Sequence, residues 1–124
     1  MVNPGLTINL FDFQEKAVIK LLDLTAKDDS KQTIIMKAPT GSGKTIILID
    51  YVDKFLTNVV DNMAFIWLCP GKGNLEEQSR DKMRKFAPGR VTQNLFEALS
   101  SGFAPGSTTF INWELVTKRG NTAI

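Results

Sequence analysis

A chain of 124 residues, 43% hydrophobic and 23% charged, has the length and composition of one globular domain, which argues against a disordered or fibrous protein. A net charge of +2 is too small to mark a polyanion binder, and the absence of histidine leaves carboxylates, Lys, Ser/Thr and backbone groups for any chemistry. Cys69 is the only cysteine, no apolar run approaches the ~20 residues of a membrane span, and no basic leader follows Met1, so a soluble, unexported, cytoplasmic protein without disulfides is expected.

Residues 1–10 contain Pro4 and Gly5 and read as an extended lead-in. Asp12 is placed to cap a helix over about 13–26, with Glu15 closing a capping box and Phe13, Ala17, Leu21 and Leu24 recurring on one face. A polar turn over 27–31 leads to Thr33-Ile34-Ile35-Met36-Lys37, whose β-branched content predicts a strand. After a glycine-rich loop, residues 44–58 read as a buried helix on which Asp50, Asp53 and Lys54 mark the wet side. A second strand is predicted over 63–69, ended by Pro70, and a charged helix over 75–86. The remainder reads as a short strand at 90–92, a helix at 94–100, a Gly/Pro loop at 102–106 and a strand at 108–112. Helices alternating with short apolar strands predict an α/β domain with a parallel sheet covered on both faces.

The loop Ala38-Pro39-Thr40-Gly41-Ser42-Gly43-Lys44-Thr45 stands between a predicted strand and a predicted helix, the context in which such a motif makes a phosphate site. Gly41 and Gly43 allow backbone conformations that a β-carbon obstructs, so that several N–H groups face one concavity. The helix opening at Lys44 adds its positive end. Lys44 is then expected on the β- and γ-phosphates of ATP, and Thr45 on Mg2+. Pro39, Thr40 and Ser42 complete the cradle, with Ala38 standing where the general pattern has its first glycine.

These eight residues resemble motif I of the second helicase superfamily, in which Ala commonly replaces that glycine. Leu10-Phe11-Asp12-Phe13-Gln14 resembles the stretch ending in an aromatic and a glutamine ahead of motif I, and this likeness implies that Gln14 contacts the adenine. Pro70, Leu75 and Gln78 resemble motif Ia, which implies nucleic-acid backbone contacts from Pro70, Lys72 and Gln78. The proline-to-leucine gap is one residue longer than in the DEAD-box form. Six basic and three acidic residues between Lys72 and Arg90 would supply a few phosphate contacts, and equally suit a solvated helix face. Together with Phe110-Ile111-Asn112-Trp113-Glu114-Leu115, the chain from about 10 to 116 is similar to the amino-terminal part of the Res subunit of type III restriction-modification systems. The resemblance implies a RecA-like P-loop NTPase lobe, incomplete here, in a DNA-dependent ATPase that acts on double-stranded DNA with a modification methylase subunit. The nuclease of such subunits lies in a separate domain.

Hydrolysis in such motors needs an acidic pair at the end of a further strand. Ile46-Ile47-Leu48-Ile49-Asp50 has the composition but falls inside the helix after the loop. Asn112 with Glu114 is a degenerate imitation, and Trp113 between them reads as core. The expectation is an amino-terminal portion of one domain, residues 1–124, that binds ATP and turns it over poorly. Two other readings remain open: a small P-loop kinase, and a non-catalytic nucleotide- or DNA-binding module.

Overall fold

The computed structural model describes residues 5–26, 33–39, 41, 43–71 and 74–114. In chain order the elements are α1 (Asp12–Thr25), α2 (Lys44–Asn58), β1 (Phe65–Cys69), α3 (Leu75–Phe86), β2 (Val91–Asn94), α4 (Leu95–Ser101) and β3 (Ser107–Asn112). The three strands form a parallel sheet in the order β1-β3-β2, flanked by helices, as in an incomplete RecA-like lobe. β3 is the middle strand, and all six of its residues are buried. Its sequence is a run of β-branched and aromatic residues after Ser107, which suits a strand enclosed on both faces.

The strand predicted over 33–37 does not join this sheet. Residues 33–39 carry no helix and no ladder, although their side chains alternate between exposed and half-buried. A parallel strand owes its hydrogen bonds to a neighbour. Among the described residues β3 has β1 on one side and β2 on the other, and neither outer edge takes up 33–39.

One face of the sheet carries the hydrophobic core. Ile49, Val52 and Leu56 of α2 meet Met83 and Ala87 at the α3 end and Phe110 of β3, with Leu6, Tyr51, Phe65 and Trp67 packed around them. Trp67 and Phe110 stand opposite each other in register, ring centroids 5.2 Å apart. The amino-terminal lead-in is tied to this layer, since Thr7 N–H donates to Phe86 O at 2.8 Å. On the opposite face Gln93 organises the return loop into β3. Its Oε1 accepts from Ser107 Oγ and Thr109 Oγ1, and from the Ala104 N–H, at 3.1, 3.3 and 3.2 Å. Buried polar groups must find such partners, and Gln93 satisfies several at once.

The wet side expected for α2 is a wet side only at Lys54. Asp50 is 2% exposed and Asp53 4% exposed. Each carboxylate is buried with a cation: Lys54 reaches Asp50 one turn along the helix at 2.6 Å, and Arg90 Nε donates to Asp53 Oδ1 at 2.8 Å. The Arg90 guanidinium also donates to Asp53 O and Thr57 Oγ1, so it clamps the carboxyl half of α2 to the start of β2. Sequence periodicity cannot show this, because Arg90 lies 37 residues away from Asp53.

At the other end of β2, Asn94 and Glu97 form a reciprocal capping box for α4, and Glu97 also accepts from Arg80 at 2.8 Å. The Asn94 backbone N–H, and then Arg80, hold the Glu97 carboxyl below its ordinary value.

Both pairings are open to test. Arg90→Ala leaves Asp53 buried without its main cation, and should cost about 3 kcal/mol in denaturant unfolding. For Glu97 the lowered folded-state pKa means a stabilising contribution fully present above the ordinary value of 4.5 and lost as the pH falls through the folded-state value. The melting temperature of Glu97→Gln should therefore lie below that of the parent at neutral pH and converge with it in acid.

Candidate functional site

Phe65, the first residue of β1, packs against Phe55 and Tyr51 in the carboxyl half of α2, at centroid distances of 5.5 and 6.1 Å. α2 therefore runs against the strand direction, and its first residue, Lys44, points towards the strands' carboxyl ends. Open α/β sheets bind ligands along that rim.

Two glycines shape the approach to α2. Gly41 and Gly43 have φ of 86° and 81°, left-handed values that side-chain-bearing residues rarely adopt. Gly43 is the N-cap of α2, and among the described residues no side chain caps the helix there. Its carbonyl accepts the first helical bond, from Ile47 N–H at 3.0 Å. The first N–H groups of α2 are thus without a side-chain cap, as a phosphate cradle requires. Lys44 is exposed, Thr45 half-buried and Pro39 exposed. Thr40, Ser42 and Lys72 lie outside the described residues.

Gln14 reaches this loop from α1. The helix begins at Asp12 with Phe11 as its N-cap, so the box expected from Asp12 and Glu15 is displaced by one residue. Gln14 Oε1 accepts from the Phe11 N–H at 2.9 Å, satisfying one of the orphan amides of the first turn. Gln14 and Val18 are the buried residues of the helix, and Phe13, expected inside, faces out. A β-carbon at Gly43 would run into Gln14 Nε2. Glycine is favoured at this position by its left-handed φ, and a β-carbon there would also oblige the glutamine amide to move.

The carboxyl ends of β1 and β3 carry a second polar cluster. Asn112 ends β3, and its Nδ2 lies 3.4 Å from both Gly71 O and Glu76 Oε2. Its Oδ1 accepts from the Glu114 N–H at 2.9 Å. The Glu114 side chain lies against Gly71, where a β-carbon would collide with it. Asn112 thus closes the turn after β3 onto the turn after β1. Trp113, expected in the core, is half-exposed beside Leu68, Cys69 and Pro70. The aliphatic run Ile46 to Asp50 lies within α2, as expected. Among the described residues no group of three or more potential metal ligands converges.

Of the residues implied in nucleic-acid contact, Pro70 is exposed just after β1 and Gln78 is exposed on α3. The basic residues around them are less available than their number indicates. Arg80 donates to Thr92 and Glu97, Arg84 to Thr92, and Arg90 to Asp53. Lys82 and Lys85 remain exposed on α3, Lys85 with its ammonium 5.3 Å from the Phe86 ring centre. The burial of Cys69 pushes its thiol pKa up, against a weak contact with Ser79.

The two loop glycines should respond differently to substitution. Gly41→Ala meets only the left-handed backbone penalty, about 1–2 kcal/mol. Gly43→Ala adds the collision with Gln14 and should lower the melting temperature further. Partial recovery of stability on adding Gln14→Ala to the same chain would identify the collision as the cause; an equal effect at both glycines would deny it.

One family model, described as type III restriction enzyme, res subunit, matches residues 7–114. No curated protein gives a match. The matched span takes in α1 with Gln14, the glycine-rich loop before α2, the three described strands and the turn at Asn112. The chain belongs to the family of type III restriction enzyme res subunits.

Proposed function

We propose that this chain is the ATP-binding portion of a DNA-dependent ATPase, a helicase-like motor that works on double-stranded DNA within a cytoplasmic restriction endonuclease. The observation that carries the reading is the pair of left-handed glycines, Gly41 and Gly43, opening onto the uncapped start of α2 at the carboxyl rim of a parallel sheet. Backbone N–H groups and the helix end favour a phosphate there, and Lys44 as the first helical residue supplies the point charge. Thr45 would hold Mg2+, which when bound neutralises charge on the β- and γ-phosphates. Gly41, Ser42 and Gly43, with Pro39 and Thr40, would form the cradle. Gln14, lying against Gly43, would put the base end of the nucleotide near the start of α1.

Residues 1–124 are then part of one RecA-like domain, and the full protein would pair with a modification methylase. Pro70, Lys72 and Gln78 are proposed for the DNA backbone. Turnover by this chain alone should be poor. Among the described residues Asn112 is engaged by Gly71, Glu76 and Glu114, and no acidic pair stands at a strand end where it could orient water. A described helix long and apolar enough to cross a membrane is also lacking.

Calorimetric titration with Mg-ATP tests the site. Saturable binding that Lys44→Ala reduces by about ten- to a hundredfold is expected, the scale of removing a charged hydrogen bond to phosphate. Equal binding by both proteins would reject the cradle. For the motor, ATP hydrolysis by the full-length parent should rise on adding duplex DNA; a folded parent whose hydrolysis ignores DNA would end that part of the proposal.

A further inference from the structure

The two edge strands of the sheet differ in how they are protected. β2 is guarded by charge: Arg80 and Arg84 both donate to Thr92 on it, and Arg90 stands immediately before it. A second copy meeting that edge would set these guanidinium groups against their own counterparts, one of the devices that keep edges from pairing. β1 has no such guard. It pairs with β3 on one side, and among the described residues no strand lies on the other. From Met63 to Pro70 the chain carries no charged residue and no glycine. Ile66 and Leu68, which alternate with Phe65 and Trp67 of the core layer, are 49% and 47% exposed. Between α2 and this edge lies an open cleft of about 260 Å3, lined by Leu48, Tyr51, Val52 and β1 itself. A charge-free strand of aromatic and branched residues with an open edge is the kind of segment that pairs with another strand.

We infer that β1 is a self-association edge, at which two copies of this chain pair β1 with β1 about a two-fold axis at Trp67 and join their sheets into one. The inference is independent of the nucleotide reading. With the axis perpendicular to the sheet the two strands run antiparallel, and α2 lies on the same face in both copies. Centred on Trp67, the register sets Trp67 against Trp67, Ile66 against Leu68 and Phe65 against Cys69 of the second copy. It is the register that pairs all five residues of β1; an axis one residue to either side leaves a strand end outside the ladder. The exposed Ile66 and Leu68 then cover each other twice, and the open N–H and C=O groups of the edge find partners. No like charges meet along the strand, so a second copy suits this neutral edge better than it suits β2. The other β-branched run, 33–37, contains Lys37 and stands outside the sheet with Ile35 77% exposed.

The test is sedimentation equilibrium of the 124-residue chain across the micromolar to millimolar range. The mean mass should rise from one chain towards two and stop there, because a two-fold pairing closes on itself. Ile66→Lys should weaken the dimer by at least about tenfold, since it brings a charge twice into an apolar contact. Val91→Lys on β2 and Ile35→Lys in the 33–37 run should leave it unchanged. All three side chains are exposed, so the variants should keep the parent's melting temperature, measured alongside. Leu68→Lys replaces Ile66→Lys if that variant fails to fold. In a Cys69→Ala background, a chain with Ile66→Cys mixed with a chain with Leu68→Cys should oxidise to a mixed disulfide in preference to either self-linked dimer. Absence of that preference would overturn the axis at Trp67. A monomer at every concentration would show the edge closed within one chain and overturn the inference. Growth beyond two chains, or a dimer that survives Ile66→Lys and is lost on Val91→Lys or Ile35→Lys, would place the contact elsewhere and overturn it as well.

Discussion

Gly43 is where three parts of the molecule meet: the loop before α2, the first turn of α2, and the buried amide of Gln14 on α1. A left-handed residue is needed to turn the chain from the loop into the helix, and the space beside it is already taken by Gln14 Nε2. The glutamine in turn is oriented by the Phe11 N–H. One backbone conformation thus links the start of α1 to the start of α2, and the two helices then run in contact, with Tyr51 Oη donating to Thr25 Oγ1 at 2.8 Å near the far end of α1. The entry into α2 at Gly43 is thus set by tertiary packing as well as by the glycine itself.

The charged residues show how packing redirects a sequence signal. α2 carries two carboxylates on a helix that is otherwise largely apolar, and both are buried with cations. A buried carboxylate without a partner would be strongly destabilising, so Asp53 makes the position of Arg90, and with it the entry into β2, part of the stability of α2. Internal pairing also thins the basic stretch on and after α3. Arg80 and Arg90 are engaged in ion pairs, and Arg80 and Arg84 donate to Thr92. Outward α3 offers Gln78, Lys82 and Lys85, which at helical spacing share one face, together with the exposed acids Glu77 and Asp81 and with Arg84. A backbone contact to nucleic acid would draw on a few side chains and not on the whole count of basic residues.

The carboxyl rim of the sheet holds two assemblies with different characters. Around Gly41 and Gly43 the backbone takes left-handed conformations into the start of α2. Around Asn112 the side-chain amide serves Gly71, Glu76 and Glu114 together.

Much of this was legible in the linear sequence. The helices at 44–58 and 75–86, the strand ending at Cys69 and the central strand ending at Asn112 follow from periodicity, β-branched content and the breakers Pro70, Gly102 and Gly106, all of which act within a few residues. The glycine-rich entry into α2 was legible because its signal is local: glycines, a lysine and a helix start in close succession. What required the tertiary structure is whatever depends on partners distant in sequence. That 33–37 stays outside the described ladder depends on which strands flank β3. That Asp50 and Asp53 are inside depends, for Asp53, on an arginine 37 residues on. That Gln14 is buried while Phe11 and Phe13 are not depends on the glycine that Gln14 meets across the fold. Local propensity sets which element forms; the choice of which face is buried belongs to contacts that only the folded chain brings together.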